Sequence, residues 1–348
     1  MKILYFTKYT RKGASSRLRS FQYFPFLESQ GHQVTVKPLF DDAYLEKLYH
    51  GKKDILGSIK SYLKRFLLLF SVFRYDKVVI EKELFPYLPA VFERLFALVG
   101  IHYVVDYDDA IFHNYDRHPN PMIRFFLKSK IDVVMKKSGM VIAGNSYLAA
   151  RAKRANATNI VIIPTVIDTK RYQTKEIVKS NPFVIGWIGS PSTFKYLLSL
   201  QTVFEKLATK YRIAIHIVGA KESIGLPAFE KHIPWSEETE VASILSFDVG
   251  IMPLNDTPWE KGKCSYKLIQ YMGCGIPVIA SPVGMNVEVV QPVKNGFLAT
   301  NEEQWFSAIE KYINDADLQS AHGKNNSIFV ENHFSLNSAK YNYLKAVV

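Results

Sequence analysis

The chain of 348 residues reads as an α/β protein made of two Rossmann-like domains facing each other across a cleft. Three observations predict this. Short β-branched or aromatic runs alternate with longer helical patterns along the whole length, the order expected of parallel strands joined by helices. The length suits about two domains, each long enough to bury its own core. A polar stretch running from Pro164 to Pro182 separates two such series.

In the first series, strands are expected at Ile3–Phe6, Gln33–Val36, Lys77–Ile80, His102–Asp106, Met140–Ala143 and Ile160–Ile163, with helices between them. The second series places strands at Phe183–Ile188, Ala214–Val218, Asp248–Met252 and Pro277–Ala280. Its helices fall near Ser192–Lys210, Ser236–Leu245, Cys264–Met272 and Glu302–Asn314. The expected division is residues 1–165, a first domain; 181–330, a second; and 331–348, a final helix. No repeat of 20–50 residues and no low-complexity tract interrupts the pattern.

Composition narrows the class. With 48% hydrophobic and 22% charged residues, the chain is neither disordered nor collagen-like. Two cysteines, Cys264 and Cys274, are too few for a disulfide framework or a zinc site, and fit a reducing cytosol. Only four apolar residues follow Met1-Lys2 before Thr7-Lys8, too few for a signal peptide. The uncharged run Leu268–Val287 is broken by three glycines and two prolines, so no transmembrane segment is expected. The net charge is +12, and all of it lies in the first half: residues 1–170 hold 27 basic and 15 acidic side chains, residues 171–348 hold 17 of each.

In open α/β sheets ligands bind beyond the carboxyl ends of the strands, so the residues after each strand carry the most weight. The loop Lys8–Arg19 follows the first strand with small residues, Gly13 and five basic side chains. A helix beginning near Ser16 would offer backbone N–H groups to a phosphate, with Arg17 and Arg19 as chelators; otherwise this is a solvated basic loop capped by a serine. It lacks a Gly-x-Gly-x-x-Gly fingerprint, which disfavours a nicotinamide cofactor. Asp106, Asp108, Asp109 and His113 follow the fourth strand. Crowded carboxylates there suit a base, an acceptor for sugar hydroxyls or an electrostatic stabiliser; an Asp-x-Asp metal site and plain helix capping are the rival readings. The third place is Trp259–Val278. A Gly/Lys-rich turn opens a helix whose first N–H groups, near Ser265 and Tyr266, could hold a diphosphate, with Lys263 or Lys267 neutralising it. Leu268, Ile269 and Met272 are the packed face of that helix.

From Gln270-Tyr271-Met272-Gly273-Cys274-Gly275-Ile276-Pro277-Val278, with Gly284, Glu288 and Asn295-Gly296-Phe297-Leu298, the chain resembles the retaining nucleotide-sugar glycosyltransferases of family 4, which have the GT-B fold. Val161–Asp168 and Gly186-Trp187-Ile188-Gly189 are similar to that family's linker and to the strand opening its donor domain. The resemblance implies transfer of a sugar from a UDP- or GDP-sugar to an acceptor hydroxyl with retention, without a bound metal. The family's basic pair falls on Gly189-Ser190 and Lys195, so the lysine matches and the arginine does not. Its paired glutamates fall on Gly262 and Gln270; the amide can still bond ribose hydroxyls, and Glu260 or Asp256 could reach the place of the missing carboxylate. The family's histidine has no match: Asp108 stands in its place, with His113 five residues on. The base would rest near Ile217–Ala220 and His232–Trp235, where Trp235 is otherwise an ordinary core residue, and the helix 335–348 would cross back to the first domain.

Ile59–Arg74 is apolar-rich and flanked by basic residues, which suits either a buried helix or one lying in anionic headgroups. With the one-sided charge this suggests a cytoplasmic protein, peripheral at the inner face of the membrane, acting on a saccharide or lipid-linked acceptor in surface polysaccharide or glycan synthesis. No nucleic-acid-binding motif accompanies the charge, so no nucleic acid is expected. A non-catalytic nucleotide-sugar or glycan-binding protein is the alternative, and a nucleotide-sugar epimerase a third.

Overall fold

In a computed structural model, residues 1–49, 51–52, 54–174, 180–291 and 294–348 are described. Part of the expected linker, residues 175–179, lies outside them. The chain divides into two compact units. Unit 1 comprises Met1–Thr165, Gly262–Cys264 and Ala339–Val348, and unit 2 comprises Val166–Lys261 and Ser265–Ser338.

Unit 1 holds a six-stranded parallel sheet of β1 (Lys2–Phe6), β2 (Gln33–Val36), β3 (Lys77–Glu81), β4 (Val104–Tyr107), β5 (Met140–Ala143) and β6 (Ile160–Ile162), in the order β2-β1-β3-β4-β5-β6. Its central strands are almost wholly buried, which is why they read as continuous apolar runs. Pairing of Ile3 with Lys77 and of Val79 with Val104 fixes the register. The strand order reverses between β1 and β3, so the crevice at their carboxyl ends is the topological switch point of this sheet.

Unit 2 holds a second parallel sheet: β7 (Phe183–Ile188), β8 (Ile213–Val218), β9 (Glu230–Ile233), β10 (Val249–Met252), β11 (Val278–Ala280) and β12 (Gly296–Leu298), ordered β12-β11-β10-β7-β8-β9. Its switch point lies between β7 and β10. Trp187, Phe204, Ile215, Ile251 and Ile309 belong to its core. The fold is thus the α/β, two-sheet arrangement that the sequence predicts.

Several elements differ from expectation, each for a local reason. Strand β9, Glu-Lys-His-Ile, is an edge strand with no apolar run, and β12 is only three residues long. The expected helix Ser192–Lys210 breaks into Phe194–Leu198 and Gln201–Lys210, where the Ser199 hydroxyl donates to the Tyr196 carbonyl at 2.7 Å. The expected helix Ser236–Leu245 begins only at Glu240, because Ser236 and Thr239 form a hydroxyl-linked turn. An unforeseen helix, Ala316–His333, buries polar side chains: Gln319 donates to the Asp248 carbonyl at 2.7 Å and Asn326 to that of Ile276 at 3.0 Å. Amide-to-carbonyl bonds replace the apolar stripe that periodicity detects.

Candidate functional site

In unit 2, β7 delivers the chain to Gly189 at the switch point. A side chain there could not coexist with its neighbours: an added Cβ would lie 2.4 Å from the Trp187 ring and 2.6 Å from Lys267 Nζ. Gly219, after β8, has φ +87°, and a Cβ on it would lie 2.4 Å from the Gly189 carbonyl oxygen. Two glycines therefore let two loops and a lysine converge. Lys267 Nζ sits 4.5 Å from the centroid of the buried Trp187 ring and 3.4 Å from Thr193 Oγ1. Ser190 to Thr193 form one tight turn, in which the Ser190 carbonyl accepts from Thr193 N–H at 2.9 Å and from its hydroxyl at 3.0 Å.

The helix Tyr266–Gly273 starts two residues later than expected because Ser265 takes a left-handed conformation, φ 50° and ψ 25°. Its hydroxyl donates to Asn286 Oδ1 at 2.7 Å and does not cap the helix. A helix start without a side-chain cap, beside a lysine and a glycine loop, has the chemistry of an anion site. Ser265, Tyr266, Lys267, Gly189 and Ser190 thus come together within unit 2. Lys195, on the short helix beyond, is exposed with its ammonium 5.1 Å from the centroid of its neighbour Tyr196.

Other expected donor contacts are corrected. Gln270 is buried, and its Nε2 donates to the Tyr172 hydroxyl at 3.1 Å. Tyr172 in turn donates to Glu240 Oε1 at 2.7 Å, and Trp235 Nε1 donates to Oε2 at 2.8 Å. Burial pushes the Tyr172 hydroxyl well above its ordinary pKa, which keeps it a donor to Glu240. Gln270 is therefore committed to an internal chain of hydrogen bonds, and Trp235 is an exposed ring anchored by its nitrogen rather than a core residue. Tyr172 and Glu240 went unnoticed in the sequence because one lies in a linker and the other opens a helix; no motif marks them. Glu260 is also buried, and each carboxylate oxygen accepts a hydroxyl, from Tyr196 and from Thr257. Asp256 makes a surface pair with Lys261 at 3.1 Å.

In unit 1 the acids after β4 part company. Asp106 is buried and accepts three bonds from the equally buried Arg19, the shortest 2.6 Å, while Arg19 also donates to the Ile163 carbonyl at 2.8 Å. This pair joins a helix to β4, so neither Asp106 as a catalytic group nor Arg19 as a phosphate chelator survives. Burial raises the Asp106 carboxyl to about 6, against the pull of Arg19. His113 is likewise spoken for: Nδ1 lies 2.8 Å from Asp116 and Nε2 3.0 Å from the Tyr147 hydroxyl. Asp108 pairs with Lys82 at 2.8 Å and accepts from Ser15 at 2.6 Å; burial opposes its ionisation, but the Lys82 ammonium prevails and holds the Asp108 carboxyl below its ordinary range. Asp109 is the most open of the three, its side chain 32% exposed and 3.6 Å from Lys263. Burial and then Asp108 raise its pKa, with Lys263 opposing.

Loop Lys8–Arg19 is organised from within. Its helix spans Ala14–Arg19, starting before Ser16, and the Ser16 hydroxyl donates to Glu81 at 2.6 Å rather than capping. A Cβ on Gly13 would lie 2.5 Å from that of Tyr9, and Arg17 is buried, so neither presents an open phosphate cradle. Lys263 belongs to unit 1, where Asn145 Nδ2 donates to its carbonyl at 3.0 Å. Gly262 explains the missing glutamate: a Cβ there would lie 2.4 Å from Ala110 Cβ and 2.7 Å from Ala110 N. Among the described residues, no cluster of three or more His, Cys, Asp or Glu could hold a metal ion.

This α/β arrangement of two parallel six-stranded sheets flanked by helices is the GT-B fold of the solved glycosyltransferases to which the chain is similar. Residues 182–315 match the family model described as Glycosyl transferases group 1. Among solved structures, the chain is similar to HepE of Anabaena in complex with UDP and glucose, at TM-score 0.74 and 16% identity over 99% of this chain and 98% of that one. It is also similar to sucrose-phosphate synthase of Thermosynechococcus elongatus, at TM-score 0.73 and 13% identity over 99% and 98%. WaaG, a glycosyltransferase involved in lipopolysaccharide biosynthesis, gives TM-score 0.71 and 13% identity over the full length of both chains. A search of the curated proteins finds no sequence match. At these identities the structural likeness speaks to the fold.

Proposed function

We propose that the protein transfers a sugar from a nucleoside diphosphate sugar, UDP- or GDP-linked, to a saccharide or lipid-linked acceptor hydroxyl with retention at the anomeric carbon. The observation that carries this is Lys267, held over Trp187 beside Gly189 at the start of a helix whose N-cap serine is turned away. In this reading the diphosphate lies on that helix start, and Lys267 with the Ser190–Thr193 turn stabilises the charge that develops as the sugar leaves. The donor charge is met by protein groups, so the reaction needs no metal. Asp109 and Asp108, with Lys263 and Lys82, serve acceptor hydroxyls in unit 1. HepE, solved with UDP and glucose, supports the donor class by analogy of fold.

The test is a panel of UDP- and GDP-sugars with chelator present, read as nucleotide release and, for any product, as anomeric configuration by NMR. Release with an α-linked product from an α-linked donor is expected; an inverted product or an absolute need for a divalent ion counts against the reading. The second reading, a protein that binds the nucleotide sugar without turnover, is favoured by Gly262, which has no room for a carboxylate, and by the internally bonded Gln270. Tight binding with no release across the panel selects it.

A further inference from the structure

The helix Ile55–Leu69 in unit 1 is inverted relative to an ordinary surface helix. Its inner side holds Arg65, 1% exposed, which donates to the carbonyls of Thr7 at 2.8 Å and Lys37 at 2.9 Å and lies 4.7 Å from the Phe6 ring centroid. Tyr62 donates to the Pro86 carbonyl at 2.7 Å. Leu56, Leu63, Leu67 and Phe70 point outward, 74%, 61%, 68% and 67% exposed. A soluble helix buries its leucines and wets its arginine; here Arg65 is buried beside Leu69 while Leu56, Leu63 and Leu67 face water.

The exposed face extends beyond that helix. Phe66 packs on Phe92 at 5.8 Å between ring centroids, bringing in the helix Val91–Leu98, whose Leu95 and Leu98 are exposed. Tyr87, just before it, meets His118 at 6.2 Å, and Phe125 and Phe126 are exposed on the helix Pro121–Leu127 that follows His118. Among the described residues, 17 of the 26 exposed large hydrophobic side chains lie in the segments 55–73, 87–99 and 122–126. So much apolar surface on three neighbouring segments exceeds what monomers scatter singly.

The charge on this face has one sign. From Ile55 to Arg74 there is no acidic residue, and Lys60, Lys64 and Arg74 are exposed. In the neighbouring segments the acids are withdrawn: Glu93 is buried beneath the Leu84 N–H, and Glu83 is paired with the buried Lys130, while Arg94 and Lys128 stay exposed. Among the described residues no helix is long and apolar enough to cross a membrane.

We propose that this three-segment face of unit 1 docks on an anionic lipid bilayer, with Leu56, Leu63, Leu67, Phe70 and Leu98 entering the acyl boundary and the lysines and arginines meeting lipid phosphates. Arg65 anchors the helix to carbonyls at the ends of the sheet so that its leucines stay outward before the membrane is met. The inference is independent of the sugar chemistry, because it is read on vesicles without any nucleotide sugar.

The experiment is flotation of the full chain with vesicles of phosphatidylcholine plus phosphatidylglycerol, against phosphatidylcholine alone. Strong binding to the first, weak binding to the second and loss in high salt are expected. Leu63→Glu with Leu67→Glu should weaken binding by at least about tenfold, and Lys60→Glu with Lys64→Glu by a similar factor on the anionic vesicles only. Leu98→Glu, on a different helix, should weaken it as well, and circular dichroism with thermal melting checks that each variant folds. No binding to anionic vesicles, or binding indifferent to Leu63, Leu67 and Leu98, overturns the proposal. Concentration-dependent dimers in sedimentation without lipid, abolished by the leucine variants, assign the face to a second copy instead and also overturn it. Nucleotide binding measured in parallel shows separately whether the donor-site reading stands.

Discussion

Replacing Lys267 by methionine tests the donor site with the least disturbance, because methionine keeps the unbranched stem over Trp187 while removing the ammonium. A cation about 4 Å from a diphosphate oxygen, in surroundings of effective dielectric about 20, is attracted by about 4 kcal/mol. Desolvation and replacement by water leave a net charge-assisted contact of about 1.5–3 kcal/mol. That loss corresponds to a dissociation constant for UDP or GDP raised roughly 10- to 150-fold. Isothermal titration of wild type and Lys267→Met with both nucleotides reads it directly, and adding salt should shrink the difference. Thermal melting controls for the fold, since Lys267 contributes to packing against Trp187. A change under about threefold in a well-folded variant removes Lys267 from the site and takes the diphosphate assignment with it.

Three further outcomes follow from groups already described. Asp106→Asn should cost about 3–5 kcal/mol of stability in denaturant unfolding, because it strands the buried Arg19 guanidinium; a catalytic Asp106 would instead lose activity with stability intact. Gly262→Glu, which places a carboxylate at that position, should destabilise the protein without raising turnover, since its Cβ meets the Ala110 backbone; a gain in nucleotide release would refute the steric account. His216 is held below its ordinary value by burial and then by Lys231, so folding favours its neutral form and the associated stability is present above about pH 6.5 and lost as pH falls through the folded value. Melting temperatures at about pH 7.5 and about pH 5 should therefore fall more in wild type than in His216→Gln; equal falls remove His216 as a cause.

The two sheets were legible because eight of their inner segments, such as Val-Val-Ile and Ile-His-Ile-Val, carry the apolar runs that buried parallel strands require. Edge strand β9 and the amide-lined helix Ala316–His333 were not, since their partners are backbone groups that leave no hydrophobic period. Lys267 stands out in the sequence through its Gly/Lys-rich turn, and Gly189 only through the family resemblance. The fate of the acids was not legible. Asp106, Asp108 and Asp109 look alike in sequence, and only the approach of Arg19 from 87 residues away, of Lys82 and of Lys263 separates an internal pair from a more open carboxylate. The helix start was equally hidden: the turn predicts a helix from Cys264, yet the left-handed backbone of Ser265 delays it to Tyr266 and sends the hydroxyl to Asn286.

Unit 1 is assembled from three separate stretches of chain. Cys264 Sγ donates to the Asp108 carbonyl at 3.1 Å, and Tyr343 stacks on Tyr23 with ring centroids 3.8 Å apart. A fragment ending at Thr165 would lack both, exposing the aromatic face of Tyr23 and leaving the loop after β4 without its sulfur donor. Grafting a foreign second half onto this first half would import two pieces of unit 1 along with the new unit 2. Chimeras that exchange unit 2 therefore need Gly262–Cys264 and Ala339–Val348 returned to their native sequence, and a hybrid built with a single junction should misfold in its first half rather than its second.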